Sequence, residues 1–286
     1  MIKVLHPGLH TTFQDIGRFG VAQYAIPQSG VMDEYAAKLA NLLLQNKANY
    51  PVLEISLFGP KLLFEKETEL VCTGLKAKIQ LNSVEVPINE VLAVKKGDVL
   101  HIQQVSEGNY VYLACKGGFI SDVVFNSRSF YEGITPQEKV EKQDELAMSN
   151  SYQLARASTE KHAQLKFQKE QYKNDILEVF EGPEFHCLSQ VQQDKLLNAK
   201  FHLSKNYNRM AFQIEEIFSN QLESIITSPV IPGTVQLTPD GKLIVLMKDA
   251  QITGGYPRVL QLGRKAISLL AQKRQNEAIQ FQKLMI

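Results

Sequence analysis

Two stretches of this chain combine ionisable and amide side chains with glycine, and each is a candidate binding or catalytic loop. Glycine allows positive φ and lets a ligand approach the backbone closely, and loops of this kind often carry function. The stretch near the C-terminus contributes Asp249, Gln251, Thr253, Gly254, Gly255, Tyr256 and Arg258. The stretch near the N-terminus contributes Gln14, Asp15, Arg18, Ser29 and Asp33.

These residue types suit the recognition of a small polar molecule, and each also has a structural alternative. The guanidinium of Arg18 could hold a carboxylate through two parallel bonds, or it could pair with Asp15 and shape a turn. Asp33 could contact a ligand or cap the helix that follows it. Asp249 and Gln251 could act in a site or serve as turn residues at the end of a strand. These alternatives remain open at the level of the sequence.

The two loops are expected to lie on one cleft. The loops Gln14–Arg18 and Asp249–Arg258 are both rich in glycine, and both contain Asp, Gln and Arg. Tyr256 either packs or donates its hydroxyl to a ligand.

The motifs of several common site types are absent from the sequence. It has no His-Glu-x-x-His run and no Cys-x-x-Cys pair, so the usual zinc patterns are missing. It has no Gly-x-Ser-x-Gly elbow. It also lacks Gly-x-x-x-x-Gly-Lys and Gly-x-Gly-x-x-Gly, which argues against an ATP-binding P-loop and a Rossmann turn within this chain.

The composition is that of a soluble globular protein, with 44% hydrophobic and 21% charged residues. The formal net charge is +1, so no footprint for nucleic acid is expected. Three widely spaced cysteines indicate a reducing compartment rather than a disulfide framework. No apolar run approaches the ~20 residues of a membrane span, and the N-terminus does not resemble a signal peptide. These features predict a cytoplasmic protein without membrane contact.

Short apolar or alternating runs separated by turn residues predict a mainly β protein with a few short helices, an α+β fold. Helices are predicted for Met32–Leu44, Ser189–Leu197 and Arg264–Gln272 from their apolar spacing and helix-forming composition, with Asp33 and Ser189 as caps. The polar composition from Ser149 to Asn174 is typical of a linker. The predicted domains are 1–150 and 175–286, joined by a polar linker at 151–174.

Several motifs, in one order along the chain, resemble the allophanate hydrolase subunit 2 family. This family includes the KipI antagonist KipA and the corresponding subunit of bacterial ATP-dependent 5-oxoprolinase, and it is related to the biotin-dependent carboxyltransferase part of urea carboxylase. The motifs that carry the resemblance are Thr12–Arg18, Gly30–Asp33, Ala40–Leu43, Leu53–Ile55, Gly59-Pro60, Asn208–Met210, Ser228–Gln236, Pro239–Gly241 and Asp249–Pro257.

The resemblance implies two tandem cyclophilin-like β-barrel domains and a role in a multi-subunit enzyme. The implied activity is the ATP-dependent opening of 5-oxoproline to glutamate, together with a KipI-like (allophanate hydrolase subunit 1) protein and a LamB/YcsF-like third subunit. ATP is expected at the level of the complex, with no site readable in this chain. Carboxybiotin, if used, is expected on another protein, because the only Met-Lys pair, Met247-Lys248, continues into Asp249 rather than Met.

The residue types on the two loops and in these motifs suggest roles for particular residues. Asp249, Gln14 and Asp15 are the candidate catalytic residues. The candidate substrate-binding residues are Arg18, Ser29, Asp33, Arg209, Gln236, Gln251, Thr253, Gly254, Gly255, Tyr256 and Arg258. No metal ligand is predicted.

One central loop departs from the family pattern. A Gly-Ser-Arg-Ser-Thr-like stretch is expected where this chain has Phe125–Phe130, and a Gly-Gly-x-x-Gly-Arg stretch is expected where it has Gly133–Gln137. The substrate therefore stays open between 5-oxoproline and a urea-like amide. Two alternatives stand beside the 5-oxoprolinase: a biotin-dependent carboxyltransferase component, and a non-enzymatic protein that binds a KipI-like partner.

Overall fold

The computed structural model of the protein describes residues 1–149 and 165–284. These residues form two compact units, and neither unit is a single continuous stretch of chain. The first unit contains residues 1–17, 35–149 and 165–169, and the second contains residues 18–34 and 170–284. The structure therefore differs from the predicted division at 150 and 175 in one respect: residues 18–34 belong with the C-terminal part of the chain. Most of the predicted linker, residues 150–164, lies outside the described residues.

The first unit is built from twelve strands and one α-helix. The helix α1 (Glu34–Leu43) begins in the second unit and continues through the first. The strands are β1 (Ile2–His6), β2 (His10–Gln14), β3 (Val52–Ser56), β4 (Lys61–Phe64), β5 (Thr68–Thr73), β6 (Lys76–Leu81), β7 (Val84–Glu85), β8 (Val91–Val94), β9 (Val99–Glu107), β10 (Tyr110–Cys115), β11 (Phe119–Ile120) and β12 (Glu145–Met148).

These twelve strands form two sheets. One sheet has the order β11-β12-β1-β4-β9-β6-β7, and the other has the order β2-β3-β10-β5-β8. Every strand pair in them is antiparallel. Apolar side chains of both sheets contribute to one core cluster, which includes Val4, Leu53, Leu62 and Val111.

The second unit contains nine strands and two further helices, α2 (Gln190–Asn198) and α3 (Arg264–Ala271). Short 3-10 helices cover Ala22–Tyr24 and Phe185–Cys187, and a third, Lys169–Lys173, begins with the last residue of the first unit. The strands are β13 (Ile176–Glu181), β14 (Lys200–Tyr207), β15 (Ala211–Ile217), β16 (Ser228–Pro229), β17 (Thr234–Leu237), β18 (Lys242–Leu246), β19 (Thr253–Gly254), β20 (Arg258–Leu262) and β21 (Ala278–Lys283).

Seven strands of the second unit close into a barrel in the order β13-β20-β17-β18-β15-β14-β21. Closure is made by parallel pairing of β13 with β21, from Ile176 opposite Gln280 to Val179 opposite Lys283. In β15, Phe212 and Ile214 are fully buried while the residues on either side of each are not, which is the alternation expected when one face of a strand packs on a core.

The structure confirms the mainly β prediction and the three predicted helices. Ser189 caps α2 as predicted: its hydroxyl accepts from the Gln192 backbone N–H, and the Gln192 side chain accepts from the Ser189 backbone N–H. A barrel was predicted for each half of the chain. The second unit has a closed barrel, whereas the strands of the first unit pair into two separate sheets.

Candidate functional site

Gln14 is a buried residue at the end of β2 in the first unit, and its amide is held from within that unit. The side-chain nitrogen donates to Thr12 Oγ1 at 3.1 Å and to the Phe130 carbonyl at 3.3 Å. The side chain has no exposed surface. This geometry fixes the strand end against the segment that contains Phe130.

Asp15 collects donors from a distant hairpin of the same unit. Its carboxylate accepts from Ser127 Oγ at 2.6 Å, Ser129 Oγ at 2.7 Å, and the backbone N–H groups of Arg128 (2.7 Å) and Gly17 (2.8 Å). Four donors nearly saturate a carboxylate. Asp15 therefore positions the hairpin, and its donors among the described residues are two serines and two backbone N–H groups rather than the guanidinium of Arg18, which the turn-shaping alternative required. The pairing of these two serines with Asp15 was not predicted from the sequence.

The remaining predicted N-terminal residues belong to the second unit, where residues 18–34 lie beside the barrel loops. Arg18 is 2% exposed, and its backbone N–H donates to the Gln28 carbonyl at 2.6 Å. Asp33 is fully buried, and its Oδ2 accepts from Tyr172 Oη at 2.6 Å and from Gln272 Nε2 at 3.0 Å. The structure thus holds Asp33 through two partners whose importance was not visible in the sequence.

Ser29 is a buried residue in a strained conformation. Its φ is 55°, a left-handed value that is uncommon for residues other than glycine. Its backbone N–H donates to the Lys248 carbonyl at 2.9 Å, while its buried hydroxyl has no hydrogen-bond partner among the described residues. Strained and unsatisfied buried groups of this kind cluster at functional sites.

Arg209 connects the two predicted stretches inside the second unit. Its Nε donates to Asp249 Oδ2 at 2.6 Å, and its Nη2 donates to Asp249 Oδ1 at 3.1 Å and to the Gly30 carbonyl at 2.8 Å. The Arg209 and Asp249 side chains are 10% and 14% exposed. Both carboxylate oxygens of Asp249 are engaged, so the predicted role in proton transfer stays a prediction and requires this pair to open.

A second ion pair lies next to the first one in sequence and was missed by the sequence analysis. Lys248 Nζ donates to Glu34 Oε1 at 2.9 Å, and the lysine side chain is only 5% exposed. Buried lysines are rare unless they are paired. The sequence signal that could have found Lys248 is its position directly after a run of five apolar residues.

The glycine pair of the C-terminal loop is packed against a buried glutamine. A Cβ at Gly254 would lie 2.4 Å from the Nε2 atom of Gln236, so a larger residue there would require the Gln236 side chain to move. The same amide nitrogen donates to the Tyr256 carbonyl at 3.4 Å. Gly255 accepts from the Ile225 backbone N–H at 2.9 Å. Thr253, Gly254, Gln236 and Tyr256 therefore form one local group, in which β19 pairs with β16.

Arg258 makes a bidentate ion pair with Glu184. Its Nε and Nη2 donate to the two carboxylate oxygens at 3.0 and 2.8 Å, and its Nη1 donates to the Pro229 carbonyl at 3.0 Å. The bonds from Arg258 hold the pKa of the Glu184 carboxyl below its ordinary value of 4.5 and raise the pKa of the guanidinium. Arg258 is thus engaged within the loop, and its predicted contact with substrate stays a prediction.

The second unit brings several of the predicted residues together in two groups. Ser29, Arg209 and Asp249 lie in the first, joined through Gly30 and Lys248. The second contains Gln236, Thr253, Gly254, Tyr256 and Arg258. Gln251 is partly buried beside Ile252, whose carbonyl accepts from the Val230 N–H. Because Gln14 and Asp15 belong to the first unit, the expectation that both loops share one cleft stays a prediction.

Among residues 1–149 and 165–284, the structure has no group of three or more His, Cys, Asp or Glu side chains that could hold a metal ion. No helix in the described part of the chain is long and apolar enough to cross a membrane.

Comparison with known proteins defines the class to which this arrangement belongs. Residues 24–283 match the family described as the carboxyltransferase domain, subdomains A and B. The chain belongs to this carboxyltransferase-domain family, as the predicted resemblance to the allophanate hydrolase subunit 2 and KipA group implied.

Two relatives show how far the similarity extends. The chain is 32% identical over 287 residues to a protein of Escherichia coli (strain K12) that is named as a subunit of 5-oxoprolinase, covering 98% of this chain and 90% of the relative. It is 38% identical over 130 residues to the urea amidolyase of Lachancea kluyveri, covering 45% of this chain and 7% of that protein.

A solved structure has the same fold. The urea amidolyase of K. lactis superposes with a TM-score of 0.83 at 24% identity, over 99% of this chain and 19% of that one. The chain spans about half the length, or less, of the solved structures it matches. At this identity the likeness concerns the fold alone.

Proposed function

We propose that this protein is the KipA-type subunit of a 5-oxoprolinase, which opens 5-oxoproline to glutamate within a multi-subunit assembly. The observation that carries the proposal is the match to a relative named as a 5-oxoprolinase subunit, which runs nearly the full length of both chains. We further propose that the partners are a KipI-like protein and a LamB/YcsF-like third subunit, and that the assembly acts in the cytoplasm.

The proposed reaction requires a cationic group and hydrogen-bond donors, and this chain has both. 5-Oxoproline bears a carboxylate and a cyclic amide whose carbonyl oxygen gains negative charge when it is attacked. A guanidinium suits the carboxylate, and fixed hydrogen-bond donors suit the developing oxyanion. We assign the carboxylate to Arg18, with Ser29 beside the Arg209–Asp249 pair as the neighbouring polar group in the same unit.

We propose that ATP is used by the assembly, and we derive no step through it. ATP would supply the driving force for opening a resonance-stabilised lactam. The residues of this chain are assigned only to binding and orienting the substrate.

Reconstitution tests the proposal. The three proteins would be purified separately and combined with ATP and 5-oxoproline, and glutamate would be measured with each one omitted in turn. We expect glutamate only from the complete mixture. Full activity of this chain alone, or full activity of the mixture without this chain, would contradict the assignment.

A second candidate function is a carboxyltransferase component that acts on a urea-like amide. The local 38% identity to a urea amidolyase supports it, and so does the family description. This alternative predicts transfer of ¹⁴C-carboxyl label from a carboxylated biotin carrier protein to urea in the presence of this chain. A chain that releases no glutamate and transfers no label, yet forms a stable complex with the KipI-like protein, would instead be a binding regulator.

A further inference from the structure

A separate cavity of about 290 Å³ lies within the first unit. Its aromatic lining residues are Phe13 and Phe130, whose rings pack edge to face with centroids 5.3 Å apart. The volume is near the lower end of the range found for small-molecule sites. Mixed apolar and polar lining is the usual composition of such sites.

The lining of this cavity carries negative charge. Asp122, Asp144 and Glu145 line it, whereas none of its described lining residues is a lysine, arginine or histidine. Asp144 Oδ2 accepts from the Glu141 N–H at 2.8 Å and from Gln137 Nε2 at 3.3 Å, so its partners are neutral. Within the described part of the chain, the side chains of Asp122 and Glu145 make no hydrogen bond or ion pair.

Ser121 also lines the cavity, but its Oγ is buried without a hydrogen-bond partner among the described residues and has no surface that a bound molecule could reach. Recognition of a ligand in this cavity therefore depends on the carboxylates and the two rings.

We infer that this cavity binds a small organic cation, a primary ammonium carried on an apolar body. The carboxylates would attract the ammonium, and the two phenylalanine rings would contact the apolar part. An ammonium near an aromatic face gains further attraction. The inference stands independently of the proposed function. A 5-oxoproline carboxylate would be repelled by this lining, so the cavity is not a second place for that substrate.

Three probes of one shape test the charge preference: benzylammonium, benzyl alcohol and benzoate. Each would be titrated into the whole chain, and Kd would be measured by calorimetry at low and at high salt. We expect benzylammonium to bind tightest and to weaken as salt rises, benzyl alcohol to bind more weakly, and benzoate to bind weakest. No saturable binding of benzylammonium, or benzoate binding at least as tightly, would overturn the inference.

Variants locate the binding. Asp122→Asn and Glu145→Gln remove lining charge at exposed positions, and each should weaken benzylammonium about two- to fivefold while leaving benzyl alcohol unchanged. Gln137→Arg adds a cation to the lining and should favour benzoate over benzylammonium. The matched control is Glu90→Gln, which removes an exposed carboxylate of the same unit outside the lining. If Glu90→Gln weakens benzylammonium as much as the lining variants do, the effect is bulk charge attraction and the site is wrong.

Discussion

At the scale of single residues, the most informative group is the guanidinium of Arg209. It donates to both oxygens of Asp249 and to the Gly30 carbonyl, so one planar side chain joins three separate segments of the second unit. A lysine at this position would keep the positive charge but could not donate two parallel hydrogen bonds to the carboxylate. The geometry makes this pair a structural element of the site as well as a candidate for chemistry.

Asp249→Asn separates these two roles. Removing one partner of a largely buried ion pair leaves the other charge uncompensated, and we expect a loss of about 3 kcal/mol in the free energy of unfolding. If Asp249 also handles a proton, kcat of the reconstituted assembly should fall with KM little changed. Chemical denaturation and steady-state kinetics measure the two effects. The control is Glu223→Gln, which removes an exposed carboxylate of the same unit that has no hydrogen bond or ion pair among the described residues. Unchanged stability and kinetics in Asp249→Asn would remove both roles.

Arg18→Ala tests the predicted carboxylate contact. Loss of a charge-assisted bond of about 1.5–3 kcal/mol should raise KM for 5-oxoproline about 10- to 100-fold, with a smaller change in kcat. Arg18→Lys should restore only part of the affinity, because lysine cannot make a bidentate contact. Because Arg18 is buried, its replacement can also destabilise the fold. The kinetics must therefore be measured at a temperature well below the thermal unfolding midpoint of the variant. Arg264→Ala removes an exposed arginine of the same unit and should leave KM unchanged.

The ion pair between Arg258 and Glu184 makes the free energy of unfolding depend on pH. The pKa of Glu184 is lower in the folded protein than its ordinary value of 4.5, so the pair stabilises the fold above pH 4.5 and the stabilisation disappears as pH falls through the folded pKa. Glu184→Gln should therefore cost about 1–2 kcal/mol at pH 7 and progressively less below pH 4.5.

Unfolding midpoints in urea from pH 7 to pH 3 measure this difference for Glu184→Gln. Glu215→Gln, at an exposed position without an ion pair among the described residues, should lower stability little at any pH. A Glu184→Gln cost that stays constant down to pH 3 would show that the carboxylate charge is not responsible.

The residue types of the site were visible in the sequence, whereas their pairing was not. Asp249 and Arg209 were both selected, but they are 40 residues apart, and no local pattern specifies which distant charges meet. Glu184 and Lys248 were not selected, because a single charged residue beside a strand is indistinguishable from a solvated one until its partner is known.

At the scale of elements, the hairpin held by Asp15 has an unusual turn. Val124 and Ser127 exchange backbone hydrogen bonds of 2.8 and 3.2 Å, and the two residues between them have φ of 52° for Phe125 and 60° for Asn126. Positive φ at both positions is the pattern of a type I′ turn, which favours Asn and Gly. A phenylalanine in the left-handed region costs about 1–2 kcal/mol.

Phe125→Asn should stabilise the first unit by about 1 kcal/mol, because asparagine tolerates this conformation. Phe125→Ala is the matched control, since it removes the same ring, which is 47% exposed, but keeps the unfavourable backbone. We expect Asn to raise the unfolding midpoint and Ala to leave it nearly unchanged. Equal effects of Asn and Ala would attribute any change to the ring rather than to φ.

Helices and strands were more predictable than the way they connect. Apolar spacing indicated two of the helices, and helix-forming composition with Ser189 as a cap indicated α2, because these signals depend on neighbours within one or two turns. Closure of the barrel depends on parallel pairing between β13 and β21, near opposite ends of the C-terminal half. No periodicity within either strand contains that information.

At the scale of the whole molecule, the second unit consists of two stretches of chain. Residues 18–34 contribute Glu34 to the ion pair with Lys248, Gly30 to the bond with Arg209, and Asp33 to bonds with Tyr172 and Gln272. The division predicted from composition missed this segment, because its sequence does not differ in character from the residues on either side of it.

A fragment of residues 170–286 should therefore fail to fold cooperatively on its own, because Lys248 and Arg209 would lose partners in a largely buried setting. Fusion of residues 18–34 to this fragment through a Gly/Ser linker should restore a cooperative urea transition. The control is the same fusion with a scrambled 18–34 sequence. Equal midpoints for the bare fragment and the fusion would show that the segment is dispensable.

The two-stretch construction of the second unit also affects how this protein is made. Glu34 leaves the ribosome 214 residues before Lys248, which at a synthesis rate of ~5–20 residues per second is a delay of about 10–40 s. Throughout that interval the segment, which contributes buried Ile26, Val31 and Met32 to the finished fold, has no barrel to dock on. Nascent chains of this protein should therefore depend on chaperones during translation, and the completed barrel should order residues 18–34 last.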